Sequence, residues 1–230
     1  AGNTSGTNIT AMQIKADGTL GNRFTPTNGW TAETGRLPIL AGFAEGVQDA
    51  AIPYYICGSY FGGGDGSSEA QAYEISTAAQ LAKLAKLVNT GDPNYNDKYY
   101  KLTADIDLSG YNASNTGFNS GKGWVPIGID QNHAFCGIFD GSGNTVNGLY
   151  INDNSLIYAG LFGYVDEYDD GGSVIRHGKL WNLSVTDADI TGRTYVGGVA
   201  GWVQSSAVIN CSVTGAVTGS SVVGGVAGYI

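Results

Sequence analysis

Apolar and polar residues alternate along residues 99–108. Tyr100, Leu102, Ala104, Ile106 and Leu108 share one parity, and Tyr99, Lys101, Thr103, Asp105 and Asp107 the other. Successive side chains of a strand point to opposite faces, so this pattern predicts a strand buried on one side. The same period of two recurs further on. Leu183, Val185, Cys211 and Val213 fall on one face, with Ser184, Thr186, Ser212 and Thr214 opposite. One segment has a helical period instead. Leu81, Leu84, Ala85 and Val88 are spaced i, i+3, i+4, i+7 behind the capping-box pattern of Thr77 to Gln80. Asn89, Thr90, Gly91 and then Pro93 stop it, which predicts a helix over 77–89.

The strand patterns repeat at a nearly fixed spacing. The block Val196–Gly201 recurs as Val223–Gly228, 27 positions on, with looser copies at Ala159–Gly163 and Cys136–Asp140. A second block, Asn182–Asp187, recurs as Asn210–Gly215, 28 positions on, and Gly148–Asp153 is a weaker relative. Units of this size hold two or three short strands, too few to bury an apolar face alone. Stacked as successive coils they make parallel sheets around a continuous core. The expected class is therefore all-β, a parallel β-helix, with helix 77–89 as its N-terminal cap. A β-sandwich also has short alternating strands, but the matched offsets favour the solenoid. Glycines let such a chain turn at positive φ or let two backbones pass closely. Residues 61–71, rich in Gly and Ser, read as a linker. They divide a short β-rich segment, 1–60, from the coils of 72–230.

The two ends of the sequence match each other. Tyr229 and Ile230 stop within a repeat, so the β-helix of 72–230 reads as truncated at its C-terminus. Asn8-Ile9-Thr10-Ala11 can be laid on Asn182-Leu183-Ser184-Val185, and Gly18 then falls on Gly192. The expectation is a piece of a longer array, or head-to-tail self-association through an uncapped end.

Composition narrows the function classes. Of 230 residues, 37 are Gly and only 5 Pro, and aromatics are 11%, which argues against both collagen and disorder. With 20 acidic against 11 basic residues the net charge is −9, the wrong sign for nucleic acid or anionic membranes. No apolar run is long enough to insert into a membrane. Ala1–Thr4 has neither a basic start nor an apolar stretch, so no signal peptide is expected there. Cys57, Cys136 and Cys211 fit no zinc spacing and read first as small apolar residues, with one disulfide plus a free thiol as the alternative. His133 and His177 form no metal motif.

Gly197–Gly201 (GGVAG), Gly224–Gly228 (GGVAG) and Gly160–Gly163 (GLFG) resemble the GLUG motif. That motif occurs in surface and secreted proteins of gut Bacteroidetes and in non-catalytic regions of some immunoglobulin A metallopeptidases. The order Tyr73–Thr77, Gln80–Ala85, Tyr100–Leu108 is similar to the opening of right-handed β-helical modules of this kind, as is Trp124–Gly128 followed by Phe135–Gly141. Trp30, Leu37–Leu40 and Ile52-Pro53 resemble the closing segment of a preceding module. The resemblance implies an extracellular or cell-surface, adhesin-like role without catalytic residues.

Several groups are candidates for chemistry. The acidic stretch Asp166, Glu167, Tyr168, Asp169, Asp170 lengthens one repeat and should bulge from it as a binding loop. Asp166, Asp169 and Asp170 are hard oxygen ligands that suit Ca²⁺, and a solvated acidic loop is the plain alternative. Asp92 to Asp97 echoes the start of an EF-hand, but Asp97 and Thr103 replace the required Gly and Glu, so turn chemistry explains it better. Asp105 and Asp107, with the carboxylates of 166–170 and with Asp153 or Asp187 as weaker candidates on other coils, are the candidates for a carbohydrate-cleaving enzyme. Tyr54, Tyr55 and Tyr60, with Trp30 and Trp202, could stack on sugars or simply pack. The expected function is a non-enzymatic module binding a glycan or host surface protein. A polysaccharide lyase or hydrolase and a structural stalk are the alternatives.

Overall fold

A computed structural model describes residues 60–169 and 175–230, together with the short strands β1 (Trp30–Thr31) and β2 (Ile39–Leu40). The chain divides into two units, 1–60 and 61–230. In the first, β1 and β2 pair antiparallel, with Trp30 opposite Leu40.

The second unit is mostly β, with one α-helix among the described residues. Its strands are β3 (Tyr73–Ile75), β4 (Tyr99–Leu102), β5 (Ile106–Asp107), β6 (Ile138–Asp140), β7 (Thr145–Asn147), β8 (Tyr150–Asn152) and β9 (Phe162–Val165). A hairpin of β10 (Glu167–Asp169) and β11 (Ile175–His177) follows. The rest are β12 (Lys179–Trp181), β13 (Ser184–Thr191), β14 (Thr194–Val196), β15 (Ala200–Val203), β16 (Ala207–Ile209), β17 (Ser212–Thr218), β18 (Ser221–Val223) and β19 (Ala227–Tyr229).

These strands assemble into parallel sheets in a recurring order. The first sheet runs β16-β12-β6-β4-β3, the second β17-β13-β7-β5 with β8 also on β13, and the third β19-β15-β9; β14 pairs with β18. From β6 onward the chain thus visits the first, second and third sheets in turn and begins again. The arrangement is consistent with a β-helix-like fold. Ser184 lies opposite Ser212 and Val185 opposite Val213, whereas Ala200 lies opposite Ala227 and Trp202 opposite Tyr229. The two spacings are reconciled within β13 and β17. The register shifts between Val185 and Ala188, where Asp187 takes a left-handed φ of 52° and adds one residue to its coil.

The core follows the alternation. Tyr100, Leu102, Ile106 and Leu108 are buried, as are Val146, Leu180, Leu183, Val185 and Ile190. Residues 99–108 are not one strand, however. The chain bends at Thr103–Ala104 to pass from the first sheet to the second, leaving Ala104 half-buried at the corner. Apart from Gly225, the motif glycines are explained by close approach rather than by φ. A Cβ on Gly201 would lie 2.7 Å from the Tyr195 carbonyl oxygen and 2.8 Å from the Ala159 nitrogen. The Ala159–Gly163 and Val196–Gly201 copies therefore touch backbone to backbone.

Helix α1 (Ala78–Asn89) starts at Thr77, whose Oγ1 accepts from the Gln80 N–H. Gln80 Oε1 accepts in return from the N–H of Ser76, one residue earlier than the usual box. Leu81, Leu84, Ala85 and Val88 are buried on one face. At the far end Asn89 behaves like a peptide group, donating to the Pro126 carbonyl and accepting from the Gly128 N–H, both at 2.8 Å. That pair ties α1 to the segment 124–128, whose Ile127 bridges to Phe162 in the third sheet.

The segment 61–71 lies against β3 and β4. Phe61 is buried against the rings of Tyr73, Tyr95 and Tyr100. Gly62 donates to the Glu74 carbonyl, Glu74 donates back to Gly63, and Tyr99 donates to Gly66. One apolar side chain and a row of backbone pairs hold this Gly/Ser stretch onto β3 and β4.

Candidate functional site

The lengthened repeat forms its own structure. β10 and β11 pair antiparallel between β9 and β12, with Glu167 opposite His177 and Tyr168 opposite Arg176. Residues 170–174 and the Asp169 side chain lie outside the described residues, so the Ca²⁺ expectation rests there on Asp166 alone. Asp166 is half-buried. Its Oδ1 accepts from the Glu167 N–H at 2.8 Å, and burial pushes its carboxyl above the usual range against that hydrogen bond. Glu167 Oε2 is 3.3 Å from His177 Nδ1, which also lies 2.8 Å from the Ser205 carbonyl oxygen. Among the described residues no group of three or more His, Cys, Asp and Glu is placed to hold a metal ion.

Beside the hairpin is an aromatic cluster set apart from the central core. Ala134, Cys136 and Tyr164 are buried there, and Tyr158, Tyr168 and Trp202 pack against them. The rings form two stacks that follow the coil repeat. Tyr164 stacks on Trp202 at 5.9 Å and Trp202 on Tyr229 at 3.9 Å, while Tyr158 stacks on Tyr195 at 5.5 Å. The stacks meet edge to face, Tyr195 against Trp202 at 4.6 Å and Tyr158 against Tyr164 at 5.0 Å. Each ring of the longer stack directly follows a motif glycine, at Gly163, Gly201 and Gly228. That regularity was available in the sequence. Of this cluster only Trp202 and Tyr168 are singled out by sequence reasoning, because the glycines draw attention away from the residue after them. Burial raises the phenols of Tyr164 and Tyr158, with help from Asp166 near the first and from Tyr195 and Asp130 near the second.

A small cavity of about 180 Å³ lies alongside, lined by Asp97, Tyr99, Cys136, Gly137, Ile138 and His177. A cysteine and a histidine on one cavity invite a nucleophile reading, which the thiol contradicts. Burial, reinforced by Asp166, Asp97 and Glu167, pushes Cys136 up to about 12. It stays a thiol at neutral pH and packs as a small apolar group, its Sγ 3.7 Å from the Ala134 carbonyl oxygen.

The other carboxylates are occupied in turns. Asp105 Oδ1 accepts from the N–H and Oγ1 of Thr145, at 2.7 and 3.1 Å, joining consecutive coils. Asp107 accepts from the Ser109 N–H, which holds its carboxyl below the usual range. Asp153 accepts from Ser155 and pairs with Lys122 at 2.9 Å. Asp187 is the exposed bulge residue, and Asp92 caps an Asx turn through Asn94. Tyr54 and Tyr55 lie outside the described residues, as do Cys57 and the side chain of Trp30; Tyr60 is half-buried. No helix among the described residues is long and apolar enough to cross a membrane.

Comparison with known proteins places these features. A model of the GLUG motif matches residues 192–218, from the end of β13 through β17. Halomucin of Haloquadratum walsbyi is 36% identical over 156 residues, which are 67% of this chain and 2% of halomucin. A provisionally named Gly-rich membrane protein of Evansella cellulosilytica is 35% identical over 133 residues, 58% of this chain and 13% of that one. The chain therefore spans only a small part of either relative. A crystal structure from Bacteroides ovatus, provisionally assigned as an immunoglobulin A1 protease, aligns with a TM-score of 0.39 at 18% identity. That alignment covers 75% of this chain and 66% of the other.

Proposed function

We propose that residues 61–230 are a length of right-handed parallel β-helix from a cell-surface or secreted protein. In this reading the module is non-enzymatic and adhesin-like, and binds a glycan or host surface protein beside its acidic hairpin. The GLUG motif and relatives named halomucin and Gly-rich membrane protein support a surface location. The observation that carries the binding reading is the partly exposed aromatic cluster of Tyr158, Tyr168, Tyr195 and Trp202, placed directly against the hairpin that departs from the repeat. Aromatic edges next to carboxylates offer apolar contact and hydrogen-bond acceptors to a polyhydroxylated or polar partner. The faces of Trp202 are covered by its stacking partners, so contact would be made through Tyr168 and the ring edges.

The absence of catalysis is supported by how the candidate acids are used. Asp105, Asp107 and Asp153 each spend an oxygen on backbone N–H groups of turns or neighbouring coils. A glycan array and a panel of immobilised host proteins, probed with the wild-type chain and Tyr168→Ala, tests the proposal. The expected result is a hit that weakens at least tenfold in the variant while the melting midpoint stays put. Release of reducing sugar from a polysaccharide panel, lost in Asp105→Asn/Asp107→Asn, would overturn it in favour of an enzyme.

A further inference from the structure

The cavity beside the hairpin is built by the coil repeat. Tyr99, Ile138 and Lys179 lie opposite one another on the outward side of the first sheet, while Tyr100, Phe139 and Leu180 point into the core. Asp97, Cys136 and His177 each stand two residues earlier, so they share that side and form the next row, at the entrance to the sheet. Backbone pairing extends this far: Cys136 donates to the Asn96 carbonyl, Ile138 to that of Lys98 and Lys179 to that of Gly137. The row of Asp97, Cys136 and His177, with Tyr99, Gly137 and Ile138, encloses the space of about 180 Å³. Cys136 also belongs to the aromatic cluster, so cavity and cluster form one continuous surface.

Its lining selects a class of ligand. Asp97 is buried, at 8% exposed, which is costly for a carboxylate unless it is paired. Lys98 Nζ pairs with it, so this carboxylate already has its counter-ion and calls for no second cation. An anion is disfavoured for a different reason: Asp97, Asp166 and Glu167 all act on Cys136 in the cavity wall. His177 is held through Nδ1 by the Ser205 carbonyl oxygen and Glu167 Oε2. Two acceptors there keep the proton on Nδ1 and leave Nε2 of the neutral ring an acceptor. Tyr99 and Ile138 add apolar surface. The volume is below the ~300–1,000 Å³ of pockets for drug-sized ligands, which limits the occupant to about one ring. We propose that this cavity holds one uncharged sugar ring, the end unit of a glycan, whose hydroxyls donate to Asp97 and whose apolar face lies on Tyr99 and Ile138. The inference rests on the glycan reading given above and deepens it: Tyr168 and the ring edges of the cluster contact the glycan beyond that unit.

Matched array probes test it, with host proteins immobilised alongside: glycans ending in glucose, galactose or mannose, the same glycans with the end unit oxidised to its uronate, and others ending in glucosamine. The whole chain is expected to bind at least one neutral probe and to bind its uronate and glucosamine counterparts about tenfold more weakly or worse. Ile138→Trp places an indole in the cavity from a half-buried, outward strand position and should lose the neutral probe by a similar factor, with circular dichroism and the melting midpoint confirming the fold. Asp97→Asn keeps the shape, removes the charge and should narrow the gap between neutral and uronate probes. Equal binding of neutral and uronate ends, preference for a charged end, an unchanged gap in Asp97→Asn, or undiminished binding by folded Ile138→Trp would each overturn the inference. A glycan hit that weakens in Tyr168→Ala but not in Ile138→Trp, or hits on host proteins alone, overturns it and leaves the proposed function standing. No hit of either kind overturns both.

Discussion

Asn210 sits directly on Asn182, with Nδ2 of the first donating to Oδ1 of the second at 2.7 Å and both backbones in the left-handed region, at φ 52° and 51°. Asn182 in turn donates to Asp140 Oδ1 at 3.3 Å, so three coils are linked at one corner. Asparagine answers two needs there. It tolerates positive φ better than most residues, and its amide carries both a donor and an acceptor to pass along the stack. Asn182→Ala should lose both and destabilise the protein by about 2 kcal/mol, whereas Asn182→Gly keeps the turn and should cost about half as much. Urea unfolding midpoints of the two variants measure the difference: equal losses would show that the left-handed turn contributes nothing, and no loss in Asn182→Gly would show that the ladder contributes nothing.

Val222 holds a φ of 54°, the same conformation as Tyr195 one coil below. Tyr195 is compensated by its contacts with Tyr158 and Trp202. Val222 is β-branched and 42% exposed, so the left-handed backbone is strained without a comparable return. Val222→Asn should stabilise by about 1 kcal/mol, read as a rise in the thermal midpoint. A fall in that midpoint would mean that the valine makes a contact worth more than the strain.

Gly201 tests the reason for the motif itself. An added Cβ would meet the Tyr195 carbonyl, the Ala159 nitrogen and the Gly163 carbonyl, all within 2.9 Å. All three are backbone, so nothing flexible can move aside. Gly201→Ala should destabilise by about 2 kcal/mol or more. Gly225, whose added Cβ meets nothing within 4 Å, provides the control: Gly225→Ala should be near neutral. Similar losses at both sites would indicate that the glycines matter for backbone freedom rather than for contact between coils.

The repeat register was legible because it is written twice, once in the Asn182 and Asn210 blocks and again in the Val196 and Val223 blocks. The bulge at Asp187 is the physical content of the disagreement between those two spacings. Helix α1 was legible from four apolar positions and a cap, and it starts one residue later than the pattern suggests, since Thr77 is the cap. The packing of residues 61–71 was not legible, because Gly/Ser composition reports flexibility in an isolated chain and says nothing of the backbone partners that Glu74 and Tyr99 supply. The aromatic stacks were missed for a related reason. Tyr164, Trp202 and Tyr229 are far apart in sequence, and they gain meaning only when the coils place them in one column.

Asp166 gives a prediction with a definite sign. Burial, the largest influence, raises its folded carboxyl above the usual value of 3.8, and the nearby Glu167 adds to this despite the hydrogen bond from the Glu167 N–H. The folded state therefore holds the proton more tightly than the unfolded chain, and the ionised group opposes folding at neutral pH. That opposition is relieved as pH falls through the folded value. Asp166→Asn keeps an oxygen to accept from Glu167 but carries no charge. The variant should be more stable than wild type at pH 7, and the gap should close below about pH 4, where both carry a neutral side chain. Asp107 runs the other way. The Ser109 N–H lowers its folded value, so what it contributes is present above the ordinary carboxylate range and is lost as pH drops. Urea midpoints at neutral and acid pH for wild type, Asp166→Asn and Asp107→Asn separate the two. A stability gap for Asp166→Asn that persists in acid would mean that its effect comes from packing in the hairpin rather than from charge.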